Sequence, residues 1–472
     1  MNTTIMIVAA ILSVALVIFM LIKKMDIKIT LFAIGMILMY VGVFVMGNPI
    51  DVKGFESSGI AFLDPFFAIV AEFKAALTSY GFVLLVLGGY TTYMSAIGAN
   101  DVTVHVLTKP ISRIKSPYVL VPIVFLLGNL LSLVIPSAST LAIILFATLM
   151  PILKKAGMSN LTIAGVIATT ATVMPTPMGS DNVAIANELA QYPAFTGLTV
   201  TDYVLKYHAM VSIPTIIFMT IVQYFWQKHE DKKMGYKVTS QSYEAGEEKV
   251  IEGGALYKTV YALLPVLPML ILILSFVLKI LGNPIDISVE VATLVSFVIA
   301  IFCEIIRKKS GAKALQDTEK FFTGMGTGLP VVALTVAAVI FVDGLKTIGL
   351  IDTLQASMEG VKGNGLGFVL PLILVGLTAL IVLMSGSGTS LFFAMVPLMV
   401  PLAEAAGISP LAISIPMGLA GNLLRAVSPV SAVVVITSGS VDESPLAVVR
   451  RTSVPMIAGT VFMFVLSMIL FV

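Results

Sequence analysis

The chain has 472 residues, of which 58% are hydrophobic and 11% charged, with a formal net charge of +2 and a mean hydropathy of +1.03. Apolar runs reach the roughly 20 residues needed to cross a bilayer, so the composition describes a polytopic membrane protein and excludes a soluble fold. No basic stripe suits nucleic acid, the lone Cys303 excludes a disulfide framework or cysteine metal site, and His105, His208 and His229 have no ligand spacing.

Along the chain, apolar runs at 5–22, 28–47, 81–97, 160–190, 203–226, 256–281, 287–306, 324–345, 409–439 and 452–472 predict about ten transmembrane helices. The first is a span rather than a signal peptide, because Lys23 and Lys24 follow its apolar run instead of preceding it; its N-terminus is expected outside. Two further runs, 119–150 and 368–400, are interrupted at mid-length by a short polar tip and read as re-entrant hairpins. Basic residues test the count, since short cytoplasmic loops carry them. Clusters around Lys23, Lys109, Lys154, Lys228, Arg307 and Arg450–Arg451 all fall on one side only if both hairpins enter and return, which also places the C-terminus outside.

Two stretches about 250 residues apart read as copies of one unit. Ser137-Ala138-Ser139-Thr140, Ala156-Gly157 and Thr176-Pro177 match Ser385-Gly386-Ser387-Gly388-Thr389-Ser390, Ala406-Gly407 and Ser428-Pro429. Upstream, Ile97-Gly98 with Asp101 matches Ile348-Gly349 with Asp352, so segments 98–112 and 346–358 are expected as interfacial arm helices. The charge parity makes the copies inverted. The expected organisation is therefore scaffold helices in 1–79, a first repeat in 80–200, scaffold helices in 201–320 with a cytoplasmic linker at 228–255, and a second repeat in 321–472. Paired polar breaks of this kind are how secondary transporters build a substrate site at the bilayer midplane.

The tips are built from small hydroxyl residues and glycines, which turn tightly and leave polar groups facing a cavity; close helix packing is the bland alternative. The prolines of the two breaks free carbonyls that hold a cation or a substrate hydroxyl, or else simply kink a helix. Arg425, inside an apolar span, would cost roughly 2.5–3.5 kcal/mol on insertion scales. It reads as a fork for a carboxylate, as the partner of Asp181 in an internal ion pair, or as a snorkelling side chain. Asn422, one turn earlier, reaches the same ligand. Asp181 is either a proton or sodium site or the counter-charge of Arg425, and Ser180, Asn182 and Ser431 join it as ion-coupling candidates. Gly324, Gly326 and Gly328 read as packing glycines, since no strand precedes them as a nucleotide loop requires. His208 reads as a satisfied interfacial histidine rather than a proton relay, and Asp343 with Lys346 as a local ion pair. No Ser-His-Asp set, metal-ligand pair or P-loop appears, and neither an enzyme nor a bound cofactor is expected.

Tyr93-Met94-Ser95-Ala96-Ile97-Gly98-Ala99-Asn100-Asp101, Ser116-Pro117-Tyr118, Ser428-Pro429-Val430-Ser431 and Arg450-Arg451-Thr452-Ser453-Val454-Pro455 resemble the anaerobic four-carbon dicarboxylate carriers of the DcuC type, within the ion transporter superfamily. The resemblance runs from about residue 80 to the C-terminus. It implies movement of succinate, fumarate or malate across a bacterial inner membrane by exchange, efflux or ion-coupled symport, with homodimers moving a transport domain as an elevator. It also implies substrate contacts at Ser137, Ser139 and Thr140, at Thr176 and Pro177, at Ser385, Gly386, Ser387, Gly388 and Thr389, and at Asn422, Arg425, Ser428 and Pro429. The chain departs from superfamily relatives that carry Ser-Asn-Thr at a tip, having no asparagine at either tip. Two other readings stay open: an amino-acid antiporter of the same superfamily, which wants acidic residues for the positive end of its substrate, and a channel.

Overall fold

In the computed structural model the described residues are all but 1, 24, 51, 53, 134, 136, 174, 237–253, 284, 351–352 and 354–366, with the side chains of 2, 3, 18, 21, 22, 389 and 390 also left aside. The described residues form helices and turns. The first half of the chain contains α1 (Asn2–Ile22), α2 (Ile27–Tyr40), α3 (Asp64–Ala96), α4 (Ala99–Thr108), the pair α5 (Pro117–Leu131) and α6 (Ala138–Lys155), then α7 (Asn160–Ala168) and α8 (Ser180–Ala190). Next come α9 (Val200–Lys233), α10 (Ala255–Ile280), α11 (Val289–Lys308) and α12 (Gly311–Thr347). The chain closes with the pair α13 (Val369–Ser385) and α14 (Thr389–Ala406), then α15 (Leu411–Leu424), α16 (Ala432–Gly439) and α17 (Pro445–Phe471).

Nine described segments are long and apolar enough to cross a membrane, against about ten expected. The runs at 5–22 and 160–190 are not among them: the first is an apolar stretch of only Thr4–Val17 among the described residues, and the second is broken into α7 and α8, which are individually too short; Ala138–Lys155, expected as one arm of a re-entrant hairpin, is among them. An expected 81–97 span is instead the second half of the 33-residue α3, whose first half was hidden by Asp64, Glu72 and Lys74 interrupting the apolar run. The charge run expected as linker from 228 is helical through Lys233. The arm expected at 98–112 is α4 with a 3-10 turn at Lys109–Arg113; most of its counterpart at 346–358 lies outside the described residues.

Local chemistry explains the interruptions. Helix α7 stops where the Thr169 and Thr170 hydroxyls turn back onto the carbonyls of Val166 and Ile167, at 2.7 and 2.8 Å. Pro175 and Pro177 then prevent the helix from resuming before Ser180. In the second half, α15 gives way to one 3-10 turn at Arg425–Val427, and Ser428 is extended ahead of Pro429. The Ser431 side chain then caps α16. Between α5 and α6, Ser137 caps α6 by accepting the Thr140 amide at 3.3 Å; between α13 and α14, Gly386 takes a left-handed φ of 79°.

The packing of these pieces is reciprocal. The first half of each broken helix lies on its own hairpin, α7 on α5 and α6, and α15 on α13 and α14. The second halves cross over: α8 packs on α14 and α16 on α6. Outside them, α2 and α3 both lie on α12 through close glycine crossings. A Cβ on Gly344 would stand 2.6 Å from the Gly35 carbonyl oxygen, and one on Gly324 would stand 2.4 Å from the Thr92 Cβ. Two of the three glycines of 324–328 thus serve packing, as expected, while Gly326 faces open space.

Helix α9, expected among the scaffold helices, packs on α17 and α5. A buried ionic cluster holds it there. Arg451 is 2% exposed and pairs with Asp231 at 2.7 Å, while Ser159 and Thr162 on the α7 side donate to the same carboxylate. Arg451, expected with the basic residues of the cytoplasmic side, is buried against the acid on α9. Removing one partner of a buried pair strands the other and costs about 3–5 kcal/mol, whereas replacing both with apolar groups costs far less. Arg451→Met should therefore lower the thermal unfolding midpoint in detergent markedly, and adding Asp231→Leu should recover much of the loss; equal midpoints for native and Arg451→Met would contradict this assignment.

Candidate functional site

The first break and the end of α15, ahead of the second break, open into one cavity of about 200 Å³. The first break supplies Ala171, Thr172, Thr176, Ser180, Asp181 and Asn182; the end of α15 supplies Asn422 and Arg425. Gly388 reaches it from the second hairpin, Ser132 from the end of α5, and His208 from α9. A larger cavity of about 520 Å³ lies between α4 and α6, around Asp101, His105 and Thr148. The smaller one is the stronger candidate because polar side chains from four elements converge on it, and its size suits a compact solute.

The Arg425 guanidinium donates through Nη2 to the Ala171 carbonyl at 2.8 Å. Ala171 has φ 60°, a left-handed conformation that costs a non-glycine residue about 1–2 kcal/mol and here belongs to the stretch that turns a carbonyl toward Arg425. Among the described residues no carboxylate lies within ion-pair distance of Arg425. Asp181 instead accepts from the Asn422 side chain at 3.0 Å and from the Asn182 backbone amide at 3.0 Å, in the first turn of α8, where the helix dipole favours a negative charge. Asn422 also donates to the Gly418 carbonyl at 3.3 Å. The Asn182 side chain closes the break by donating to the Thr176 carbonyl at 3.0 Å.

The tips take unequal parts. Backbone of the second tip presses against the second break: a Cβ on Gly388 would stand 2.7 Å from the Gly421 Cα, and one on Gly386 would stand 2.8 Å from the Val430 carbonyl oxygen. Ser385 and Ser387 hydrogen-bond to each other within the tip, and neither lines the cavity; the Thr389 side chain lies outside the described residues. Ser137, Ser139 and Thr140 of the first tip do not line the cavity either, and Ser137 and Thr140 are exposed. Ser428 donates to the Leu383 carbonyl at 3.0 Å, tying the second break to α13. Pro177 and Pro429 shape the breaks without lining the cavity, and Ser431 is a helix cap. Asp343 and Lys346 form the expected pair at 3.6 Å.

Three contributors were not read from the sequence. Ser132 lines the cavity. Asn129, fully buried, accepts at Oδ1 from the Thr172 amide at 3.0 Å and the Thr172 hydroxyl at 2.9 Å, pinning the first break to α5. His208, expected at an interface with its hydrogen bonds made, is 4% exposed, lines the cavity and has no partner for Nδ1. Polar residues within α5, ahead of the tip, were the available signal for the first two. A second cavity of about 230 Å³ shares Ser132, Thr176 and Ser180 with the first and is walled by Gly88 and Thr92 of α3 and Thr327 and Val331 of α12.

With this geometry in place, the family model for the C4-dicarboxylate anaerobic carriers, DcuC, matches residues 1–472. The chain belongs to that family. Its relatives include a Vibrio cholerae protein named "Probable anaerobic C4-dicarboxylate transporter DcuC", 35% identical over 431 residues, 90% of this chain and 89% of that one. The anaerobic C4-dicarboxylate transporter DcuC of Escherichia coli K12 is 34% identical over 440 residues, 92% of this chain and 90% of that one. Among solved structures, the YdaH transporter of Alcanivorax borkumensis shares the fold, with a TM-score of 0.63 at 16% identity over 94% of this chain and 97% of that one. The family is one of transporters, not enzymes, and the chain is a multi-pass protein of the inner membrane.

Asn129→Leu would leave the Thr172 amide and hydroxyl without their acceptor, at about 1–3 kcal/mol. Thermal unfolding in detergent should show that loss; an unchanged midpoint would mean that the first break does not depend on α5.

Proposed function

We propose that this DcuC-family chain is a secondary carrier of four-carbon dicarboxylates such as succinate, fumarate and malate, working by exchange, efflux or ion-coupled symport across a bacterial inner membrane. The observation that carries the proposal is Arg425: a guanidinium inside a compact cavity, bound to a backbone carbonyl and to no carboxylate among the described residues. Its fork geometry suits one carboxylate of a diacid, and the family's name supplies the substrate class.

Several features support an inverted-repeat, elevator-type design. The crossed packing of the broken helices is what two intertwined copies require. At 1.5 Å per residue, the 15 residues of α5 extend only about 22 Å, short of the roughly 30 Å hydrocarbon core, which supports a re-entrant first hairpin even though its other arm, α6, is long and apolar enough to cross. The cavity between the first break and α3 and α12 lies where a moving unit holding both breaks would slide past fixed helices. On this reading the protein is a homodimer with both termini outside, and Asp181, with Ser180, Asn182 and Ser431 as further candidates, is where a proton or sodium ion couples to transport. An amino-acid antiporter is disfavoured because Asp181 is the one carboxylate among the described lining residues, and the Asn422 amide already engages it.

The test is counterflow of labelled succinate into proteoliposomes preloaded with unlabelled fumarate. The native chain should show saturable counterflow, Arg425→Ala should abolish it, and Arg425→Lys, which keeps the charge and loses the fork, should raise the KM about tenfold or more. Absence of counterflow in the native chain would remove the substrate assignment; unaltered kinetics in Arg425→Ala would remove Arg425 from the site.

A further inference from the structure

We propose that His208 is a substrate-contacting residue of this carrier, its Nε2–H holding the second carboxylate of the diacid whose first carboxylate is held by Arg425. The proposal rests on the dicarboxylate reading above and adds to it the residue that distinguishes a diacid from a monoacid. His208 ends a π-helical turn at Tyr203–His208 within α9, and such turns insert an extra residue that re-aims side chains, often at functional sites. The imidazole is 4% exposed, lines the Arg425 cavity, and meets the Tyr203 ring edge-on with centroids 6.2 Å apart. A buried imidazole normally makes hydrogen bonds, since leaving its polar atoms unmade is costly. This one makes none among the described residues, and its Nδ1 is sealed from solvent without a partner.

The tautomer follows. A proton on Nδ1 would bury an N–H with no acceptor, and a second proton would add a buried charge. The neutral ring therefore carries its proton on Nε2 and presents a donor, the group a carboxylate oxygen needs. Elimination among the other lining nitrogens leads to the same place. The Asn422 amide donates to Asp181 and Gly418, and the Asn182 amide to Thr176. Arg425, with one nitrogen spent on the Ala171 carbonyl and the rest of its fork unspent, and His208 are left as the lining side chains with a whole nitrogen uncommitted among the described residues, and they come from different elements, the turn after α15 and α9. A diacid needs donors at each end, and these two supply them.

The experiment compares native protein, His208→Gln and His208→Asn in succinate counterflow, with succinamate, whose second carboxylate is an amide, as a competing ligand. Glutamine carries its amide nitrogen to about the Nε2 position, while asparagine reaches only the Nδ1 position. Native protein should prefer succinate to succinamate strongly, because a hydrogen bond to a charged oxygen is roughly twice as strong as one to a neutral oxygen. His208→Gln should keep most of that preference. His208→Asn should lose it about tenfold, with a matching rise in the KM for succinate and little change in the inhibition constant for succinamate. A preference in His208→Asn within twofold of native overturns the role of His208 while leaving the dicarboxylate reading intact, as does an equal loss of both ligands in both variants, which would mark His208 as structural. No succinate counterflow in the native chain overturns both.

Discussion

A guanidinium placed within an apolar bundle must be compensated where it stands, and the centre of this protein is organised around that constraint. Arg425 sits at the end of α15, where the helix breaks and its carbonyls lose their intrahelical partners. The compensation comes across the two halves of the molecule, from the carbonyl of Ala171 in the other break, 254 positions away in sequence. Asp181 adds negative charge nearby without closing onto the guanidinium, because the Asn422 amide and the Asn182 backbone hold its carboxylate. The arrangement keeps the cation in place and leaves part of its donor fork unspent. On the proposed reading, an anion completes this site.

The breaks themselves stand only because each is tied to a hairpin. Asn129 on α5 takes both hydrogens of Thr172, and Ser428 donates to the Leu383 carbonyl of α13. Unwound backbone at membrane depth is tolerated where it is buried in protein or lines a cavity, and these two ties meet that condition in both halves by different side chains. Glycine does the remaining work at the second tip, where Gly388 lies so close to the Gly421 backbone of α15, and Gly386 to Val430, that neither tip position has room for a side chain. The buried Arg451–Asp231 pair extends the same logic outward, joining α17, α9 and α7, while the Thr452 hydroxyl donates to the Ala426 carbonyl beside Arg425. The helices that carry the breaks are thus bound to one another by polar contacts, whereas α2 and α3 meet α12 through glycine crossings.

Much of this was legible because a membrane makes polar residues conspicuous. The breaks at Thr176-Pro177 and Ser428-Pro429, the two interrupted hairpins and the isolated Arg425 all stand out against apolar runs, and the structure brings the first break and Arg425, just ahead of the second, to one cavity. Orientation was not legible. A hydroxyl in an apolar run announces an interruption without saying which way it faces, so Ser137 and Thr140 at the first tip are exposed while Ser132, five residues before Ser137, lines the cavity. Nor was charge pairing across distant segments. The Arg451–Asp231 pair went unread because Asp231 lies in a charge run that resembled a linker, and α3 lost its first half to three charged residues that a long amphipathic helix accommodates. His208 read as an ordinary interfacial histidine because a π-helical turn leaves no mark in the sequence.

The central claim is that the cavity between the two breaks is where the dicarboxylate binds. A structure determined with bromosuccinate would test it most directly, since bromine is located by its anomalous scattering. The account predicts a single strong peak inside the cavity bounded by Arg425, Asn422 and His208, displaced by excess succinate and absent in Arg425→Ala. A succinate-displaceable peak in the larger cavity between α4 and α6, with nothing beside Arg425, would contradict it.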